Sequence, residues 1–105
     1  MKVILDECLP KRLIYELPGH EVVTVPMAGW AGVKIGELLR KIDGYHDAFL
    51  TVDALVARPE TVKTLQFRIL ILKARSNKME DLRPLIPKIL AALSEAKPGT
   101  ITSIS

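Results

Sequence analysis

The sequence predicts an α/β fold, in which a mainly parallel five-stranded sheet lies between helices in a three-layer α/β/α sandwich. Short apolar segments rich in β-branched residues alternate along the chain with segments whose apolar residues recur at helical spacing. This βαβαβαβαβ order predicts crossover connections that are all right-handed, the hand found in nearly all known parallel sheets. The length of 105 residues fits one domain, residues 1–105.

Composition and charge indicate the broad class of protein. Apolar residues make up 49% and charged residues 26% of the chain, which is typical of globular proteins rather than of disordered or fibrous ones. The net charge of +3 is compatible with a polyanionic partner without identifying one. The single cysteine, Cys8, cannot form an internal disulfide, and no apolar segment approaches the roughly 20 residues of a membrane-spanning helix. We therefore expect a cytoplasmic protein with no membrane partner.

The individual strands and helices follow from periodicity and from proline positions. The first strand, residues 3–5, leads into an amphipathic helix that begins at Pro10. Asn77 and Glu80 fit a capping box at the start of the longest helix, in which Pro84 predicts a break. The other predicted elements are strands at residues 21–25, 48–52, 67–72 and 100–104, and helices at 35–42 and from 58.

Two of the predicted strands end at acidic residues. Asp6 and Glu7 follow the first strand, and Asp53 follows the third. Because the carboxyl ends of parallel strands meet at the edge where α/β sheets bind ligands, we expect Asp6 and Asp53 to share a crevice. Mg²⁺ prefers oxygen ligands and takes one or two carboxylates, so this pair alone can hold an ion. The structural alternative is that Asp6 caps a helix and Asp53 forms a turn.

A basic segment and a tryptophan are further candidates for binding nucleic acid. Lys73, Arg75 and Lys78 follow the fourth strand, so the predicted sheet puts them at the same edge as the acids. Cations there can position phosphate groups, and a solvated turn is the alternative. Trp30 lies between glycines, where it can stack on a base, but a tryptophan in a loop more often covers a core. We favour the covering role for Trp30.

These features together resemble the PIN-like domain family, in particular small predicted nucleases of toxin–antitoxin type that carry an LLDE-type motif after their first strand. The resemblance runs nearly from end to end. It is carried by ILDECLPKRL at residues 4–13, GHEVVTV at 19–25, GWAGVKIGELL at 29–39, FLTVD at 49–53 and ILKARSNKMEDLRPLIP at 71–87. It implies a metal-dependent endoribonuclease that uses Mg²⁺ or Mn²⁺ and cleaves RNA. The partners it implies are a small helical antitoxin and a second copy of the chain in a homodimer.

The resemblance also implies roles for individual acids. The candidate catalytic residues are Asp6, Glu37 and Asp53, and the candidate metal ligands are these three with Glu7. Periodicity alone describes Glu37 as a solvated glutamate, because the apolar positions of its helix define a different face. Related sequences often have a polar or acidic residue where this chain has Ile35, and a second acid where it has Leu55.

Two alternatives stay open from the sequence. With Ile35 and Leu55 in place of polar or acidic residues, the chain has fewer acids than the resemblance implies. This is compatible with a degenerate PIN-like module that works only in binding and does not cleave RNA. A phosphoreceiver-like signalling domain also has an acidic pair after strand one, an aspartate after strand three and a hydroxyl residue after strand four. The residues that fit that arrangement are Asp6, Glu7, Asp53 and Ser76. A receiver also needs a lysine after strand five, and none follows Thr100 here.

Overall fold

The computed structural model describes residues 1–54 and 58–105. Its described residues form a single sheet whose neighbouring strands are all parallel. The strands are β1 (Lys2–Leu5), β2 (Glu21–Thr24), β3 (Ala48–Thr51), β4 (Arg68–Leu72) and β5 (Ile101–Ile104). They lie in the order β2-β1-β3-β4-β5. The predicted α/β class, with a five-stranded parallel sheet in a three-layer sandwich, is confirmed.

The helices are α1 (Ile35–Ile42), α2 (Pro59–Val62), α3 (Met79–Leu82) and α4 (Ile86–Glu95). The predicted break in the longest helix is confirmed, because the 3-10 turn Arg83–Leu85 separates α3 from α4. The predicted first helix is a 3-10 helix, Lys11–Tyr15. The backbone N–H of Leu13 donates a hydrogen bond to the carbonyl of Pro10 at 3.1 Å. Such tight turns suit connections this short. None of the helices in the described part of the chain is long and apolar enough to cross a membrane.

Side chains that alternate along the strands build a core on each face of the sheet. Val3 and Leu5 point to the first face and pack with the 3-10 helix and α4. Ile4 and Phe49 point to the second face and pack with α1 and α2. All four are fully buried. Because both faces are covered, the inner strands appear in the sequence as continuous apolar segments instead of alternating ones.

The connections from β3 to β4 and from β4 to β5 lie on opposite faces of the sheet. α2 packs on the second face through Val62, whereas α4 packs on the first through Ile89 and Leu93. Both connections step one strand in the same direction, so they have opposite hands. The expectation that every crossover is right-handed is therefore wrong for one of them. In this position α4 covers Leu70 and Ile104, which would otherwise face water.

Arg68 at the start of β4 fastens the end of α4 to the sheet. Its Nη1 donates hydrogen bonds to the carbonyls of Leu93 at 3.2 Å and Ala96 at 2.8 Å, and its Nε donates to the carbonyl of Asp47 at 3.0 Å. Carbonyls at the end of a helix have no partner within the helix, and a cation also interacts favourably with the helix dipole there. Arg68 therefore holds α4 in position over the first face.

Candidate functional site

Asp6 follows β1, the strand at which the strand order of the sheet reverses. β1 has β2 on one side and β3 on the other, and crevices open at the carboxyl ends of strands at such a point. The backbone N–H of Asp6 donates to the carbonyl of Leu50 in β3 at 2.9 Å. On the other side, the N–H of Val25 after β2 donates to the carbonyl of Leu5 at 2.9 Å. Ladder bonds on both sides thus fix the backbone that carries Asp6.

One buried hydroxyl links Asp6 to Asp53. Thr51 is 0% exposed, and its Oγ1 donates to Oδ2 of Asp6 at 2.7 Å while accepting the backbone N–H of Asp53 at 3.1 Å. The other carboxylate oxygen of Asp6 accepts the N–H of Glu7 at 2.9 Å. Each carboxylate oxygen has two lone pairs, so Asp6 is oriented and retains capacity to bind a cation. Thr51 is not among the residues predicted for the site, although it lies two residues before the predicted ligand Asp53.

Cys8 lies beside this hydroxyl and is half-buried. Its Sγ is 3.7 Å from Oγ1 of Thr51. Burial is the main cause that raises the pKa of the Cys8 thiol, against the lowering effect of hydrogen bonds from Val52 and Thr51. The thiol is therefore protonated at neutral pH, and a protonated thiol is a poor nucleophile and a poor metal ligand.

The other two predicted acids, Glu7 and Glu37, have exposed side chains. Glu37 is exposed in the first turn of α1, as helical periodicity predicts. Glu7 is exposed, and its Oε1 accepts the N–H of Gly32 at 3.4 Å. Among the residues that the structure describes, no group of three or more His, Cys, Asp or Glu side chains is arranged to hold a metal ion. The structure thus links Asp6 to Asp53 without assembling all four acids into one cluster.

The donor set of Asp6 and Asp53 nevertheless fits a hard cation. Mg²⁺ is usually bound through one or two carboxylates, with water and phosphate oxygens filling the other positions, and Mn²⁺ also suits carboxylate and water ligands. Ile35, one of the two positions at which the resemblance implies a polar or acidic residue, is an exposed side chain at the start of α1. Leu55, at the other, lies outside the described residues.

The basic loop, residues 73–78, lies at the same edge as the acids because β4 runs parallel to β1 and β3. Lys73, Arg75 and Lys78 are all exposed. The side chain of Asn77 donates to the carbonyl of Cys8 at 2.7 Å, so a direct contact ties this loop to the segment that follows β1. The arrangement can present several cations beside the carboxylates of Asp6 and Asp53.

In comparisons with known proteins, no family model, no curated protein and no solved structure matches this chain. The resemblance to PIN-like nucleases therefore stays a prediction from the motifs.

The start of α3 differs from the predicted capping box. The Ncap residue is Lys78, and no side chain in the described part of the chain caps the helix. Ser76 forms the local contacts instead, since its Oγ accepts the N–H of Lys78 at 3.1 Å and donates to Oδ2 of Asp81 at 2.5 Å. The predicted capping role of Asn77 is wrong because its amide is used in the contact with Cys8.

Trp30 covers part of the second core. It is half-buried, packs against that core, and meets the ring of His46 edge to face with centroids 5.8 Å apart. This is the covering role that the sequence analysis favours.

Two cavities flank the acids at the carboxyl edge. One of about 410 Å³ lies at the ends of β3 and β4, and its lining includes Val52, Lys73 and Asn77. The other, of about 370 Å³, lies beside the end of β2, and its lining includes Glu7 and Met27. A larger cavity of about 750 Å³ lies at the opposite edge of the sheet, away from Asp6 and Asp53, with a lining that includes Lys2, His20 and His46.

Proposed function

We propose that this chain is a metal-dependent endoribonuclease that hydrolyses RNA at the carboxyl edge of its sheet. The observation that carries the proposal is the hydroxyl of Thr51, which joins the carboxylate of Asp6 to the backbone of Asp53. This contact lies beside the end of β1, where the strand order reverses. Two carboxylates beside exposed cations suit an ion that binds phosphate oxygens. RNA offers a backbone of phosphates for both features.

Each residue of the site has a part in this proposal. Bound Mg²⁺ or Mn²⁺ would polarise the phosphodiester and lower the pKa of the attacking water. Asp6 offers lone pairs in an orientation already set by Thr51, so little rearrangement is needed on binding. Asp53 is the second ligand. Lys73 and Arg75, exposed on the adjoining loop, offset the negative charge that develops on the phosphoryl group.

The wider biological roles belong to the same proposal and rest on the resemblance. They are a cytoplasmic location, a toxin that is restrained by a small helical antitoxin, and a homodimer. Glu37 is the third proposed catalytic residue, and its contribution requires the first turn of α1 to face the bound RNA. A degenerate binding module is the alternative that the absence of a three-acid group among the described residues favours.

Cleavage of single-stranded RNA tests the proposal. A labelled RNA of mixed sequence is incubated with the purified protein in Mg²⁺, in Mn²⁺ and in EDTA. We expect cleavage only with a metal, and we expect Asp6→Asn to slow it about a thousandfold, because a lost ligand costs several kcal/mol of transition-state stabilisation. The matched control is Glu60→Gln, an exposed acid on α2, which should retain the normal rate. No cleavage across a panel of RNAs and metals would support the degenerate module.

Phosphoreceiver-like signalling is a second candidate, and the observed strand order favours it. The order β2-β1-β3-β4-β5 is that of a class of doubly wound domains to which phosphoreceivers belong. Asp53 follows β3 and Ser76 follows β4, but the hydroxyl of Ser76 is engaged with Asp81 at 2.5 Å. Incubation with acetyl phosphate distinguishes the two functions, because a receiver would transfer the phosphoryl group to the carboxylate of Asp53 as an acid-labile acyl phosphate and release acetate.

A further inference from the structure

A groove beside Asp6 is not used by the proposed cleavage chemistry. It has a volume of about 370 Å³ and lies between the segment that follows β1 and the end of β2. Its lining combines apolar side chains with one acid and one cation: Leu9, Pro26 and Met27 with Thr24, Glu7 and Lys11. Met27 is 50% exposed, so its side chain is accessible to a ligand in the groove.

We propose that this groove binds one unpaired guanine base of the RNA, next to the phosphodiester that is cleaved. The inference rests on the proposed function and deepens it, since it names the nucleotide that the site selects. Asp6 and Glu7 are consecutive, so a base in the groove and a phosphate at Asp6 would belong to adjacent parts of one nucleotide chain. The base would lie against the apolar side chains of Pro26 and Met27.

The carboxylate of Glu7 supplies the selectivity. One of its oxygens accepts the N–H of Gly32, at the long distance of 3.4 Å, which leaves lone pairs on both oxygens. Guanine presents two neighbouring N–H donors on its Watson–Crick edge, and a carboxylate can accept both at once. Uracil has no amino group, and adenine and cytosine each offer one amino group without an adjacent ring N–H. Guanine therefore matches Glu7 best.

The backbone around the groove is held in place. The N–H of Met27 donates to Oγ1 of Thr24 at 3.1 Å, which fixes the turn that carries Met27. Gly32 has φ of 79°, a conformation that favours glycine, and this turn directs its N–H to Glu7. The groove is therefore formed before a ligand arrives, which reduces the cost of binding.

Size and charge favour a base over a peptide. A volume of about 370 Å³ is near the lower limit for small-molecule pockets, so it suits one base and excludes a helix or a long peptide. Lys11 in the lining and Arg12 beside it are exposed cations that can meet the phosphates on either side of the base.

Binding of octanucleotides to the Asp53→Asn protein tests the inference without cleavage. Fluorescence anisotropy compares an octamer of seven uridines and one guanosine with the same octamer carrying inosine, which lacks the amino group. We expect about tenfold tighter binding to guanosine, because a bidentate contact to a base edge discriminates on this scale. Glu7→Gln should bring the ratio close to one, and Met27→Ala should weaken binding to both octamers. Tyr45→Ala, at the opposite edge and 72% exposed, is the control and should change neither.

Equal binding to guanosine and inosine, or a ratio that survives Glu7→Gln, would overturn the inference. The cleavage assay separates this failure from failure of the proposed function. Cleavage that depends on Asp6 but ignores the neighbouring base would keep the nuclease and remove the guanine site. Guanosine-dependent binding by a protein that cleaves no RNA would keep the guanine site and remove the nuclease.

Discussion

The hydroxyl of Thr51 donates a hydrogen bond of 2.7 Å to Oδ2 of Asp6, across 45 positions of sequence. The contact is possible because β1 and β3 are parallel neighbours with Leu5 paired to Leu50, so the residues after them meet at one edge. Thr51 also accepts the N–H of Asp53, which makes it the common partner of both proposed metal ligands. The site therefore depends on a residue that is not itself acidic.

Replacing this threonine should weaken both the fold and the metal site. Thr51→Val keeps the side-chain shape but removes the buried hydroxyl, so the backbone N–H of Asp53 loses this acceptor and Asp6 loses a donor. We expect the free energy of unfolding to fall by about 1–3 kcal/mol. We also expect a smaller stabilisation by Mg²⁺, because Asp6 is no longer oriented. Chemical denaturation with and without Mg²⁺ measures both effects.

Thr24→Val is the matched control for this experiment. Thr24 ends β2 on the other side of β1, is 5% exposed, and uses its hydroxyl to accept the N–H of Met27 at 3.1 Å. Its loss should lower stability by a similar amount while the stabilisation by Mg²⁺ is retained. An equal loss of the Mg²⁺ effect in both variants would mean that Thr51 has no special role in the site.

Divalent metal should stabilise the folded chain, and Asp53 should be required for this effect. A ligand at one hundred times its dissociation constant adds about 2.7 kcal/mol to the free energy of unfolding. Differential scanning fluorimetry should therefore show a melting temperature that rises with Mg²⁺ or Mn²⁺ in the wild type and stays constant in Asp53→Asn. Equal shifts in the two proteins would exclude Asp53 as a ligand.

The basic loop should make RNA binding depend on salt. Each phosphate contacted on a single strand contributes a slope of roughly −0.7 to the plot of log affinity against log salt. Lys73→Ala combined with Arg75→Ala should therefore flatten the slope by about 1.4 if both contact phosphate. The measurement uses the Asp53→Asn protein, so that cleavage does not distort the titration.

Two lysines at the other edge of the sheet provide the control for charge alone. Lys63 and Lys97 are exposed and precede β4 and β5, so they lie at the amino ends of the strands, opposite the basic loop. Their replacement by alanine removes the same net charge and should leave the slope almost unchanged. A slope that changes equally in both double variants would indicate a general charge effect and no phosphate site at residues 73–78.

The fold should lose stability in mild acid because of His46. Its Nδ1 is buried and has no hydrogen-bond partner among residues 1–54 and 58–105, and burial is the main cause that lowers the pKa of His46. The positive charge of Lys2 acts in the same direction, while the carbonyl of Ile42 and the carboxylate of Asp47 oppose it. As pH falls below about 6.5, the imidazole of His46 takes up a proton in the unfolded chain before it does so in the folded chain. The stability that neutral His46 provides is therefore present above that pH and is lost as pH falls further.

Urea denaturation at pH 7.5 and at pH 5.5 measures this loss. His46→Gln cannot take up the proton and should show a smaller difference between the two pH values. His20→Gln leaves His46 in place and should retain the part of the difference that depends on it. If His46→Gln lost as much stability between the two pH values as the wild type, the pH dependence would have another source.

The sequence by itself determined the fold class and the edge at which the acids lie. Uninterrupted apolar segments identified β1, β3 and β4, because a strand that is buried on both faces has apolar side chains at successive positions. Helical periodicity likewise predicted that Glu37 is solvated, and proline chemistry predicted the break before α4. These are local properties, since each depends on residues within a few positions of one another.

The tertiary structure alone decided what the acids contact. Parallel pairing brings the hydroxyl of Thr51 to the carboxylate of Asp6. The side chain of Asn77 donates to the carbonyl of Cys8 instead of capping the helix as predicted. The short 3-10 helix after Pro10 and the unexpected hand of one crossover are likewise set by which face each connection must cover. Contacts between residues far apart in sequence depend on strand order and register, which the spacing of residues along the chain does not encode.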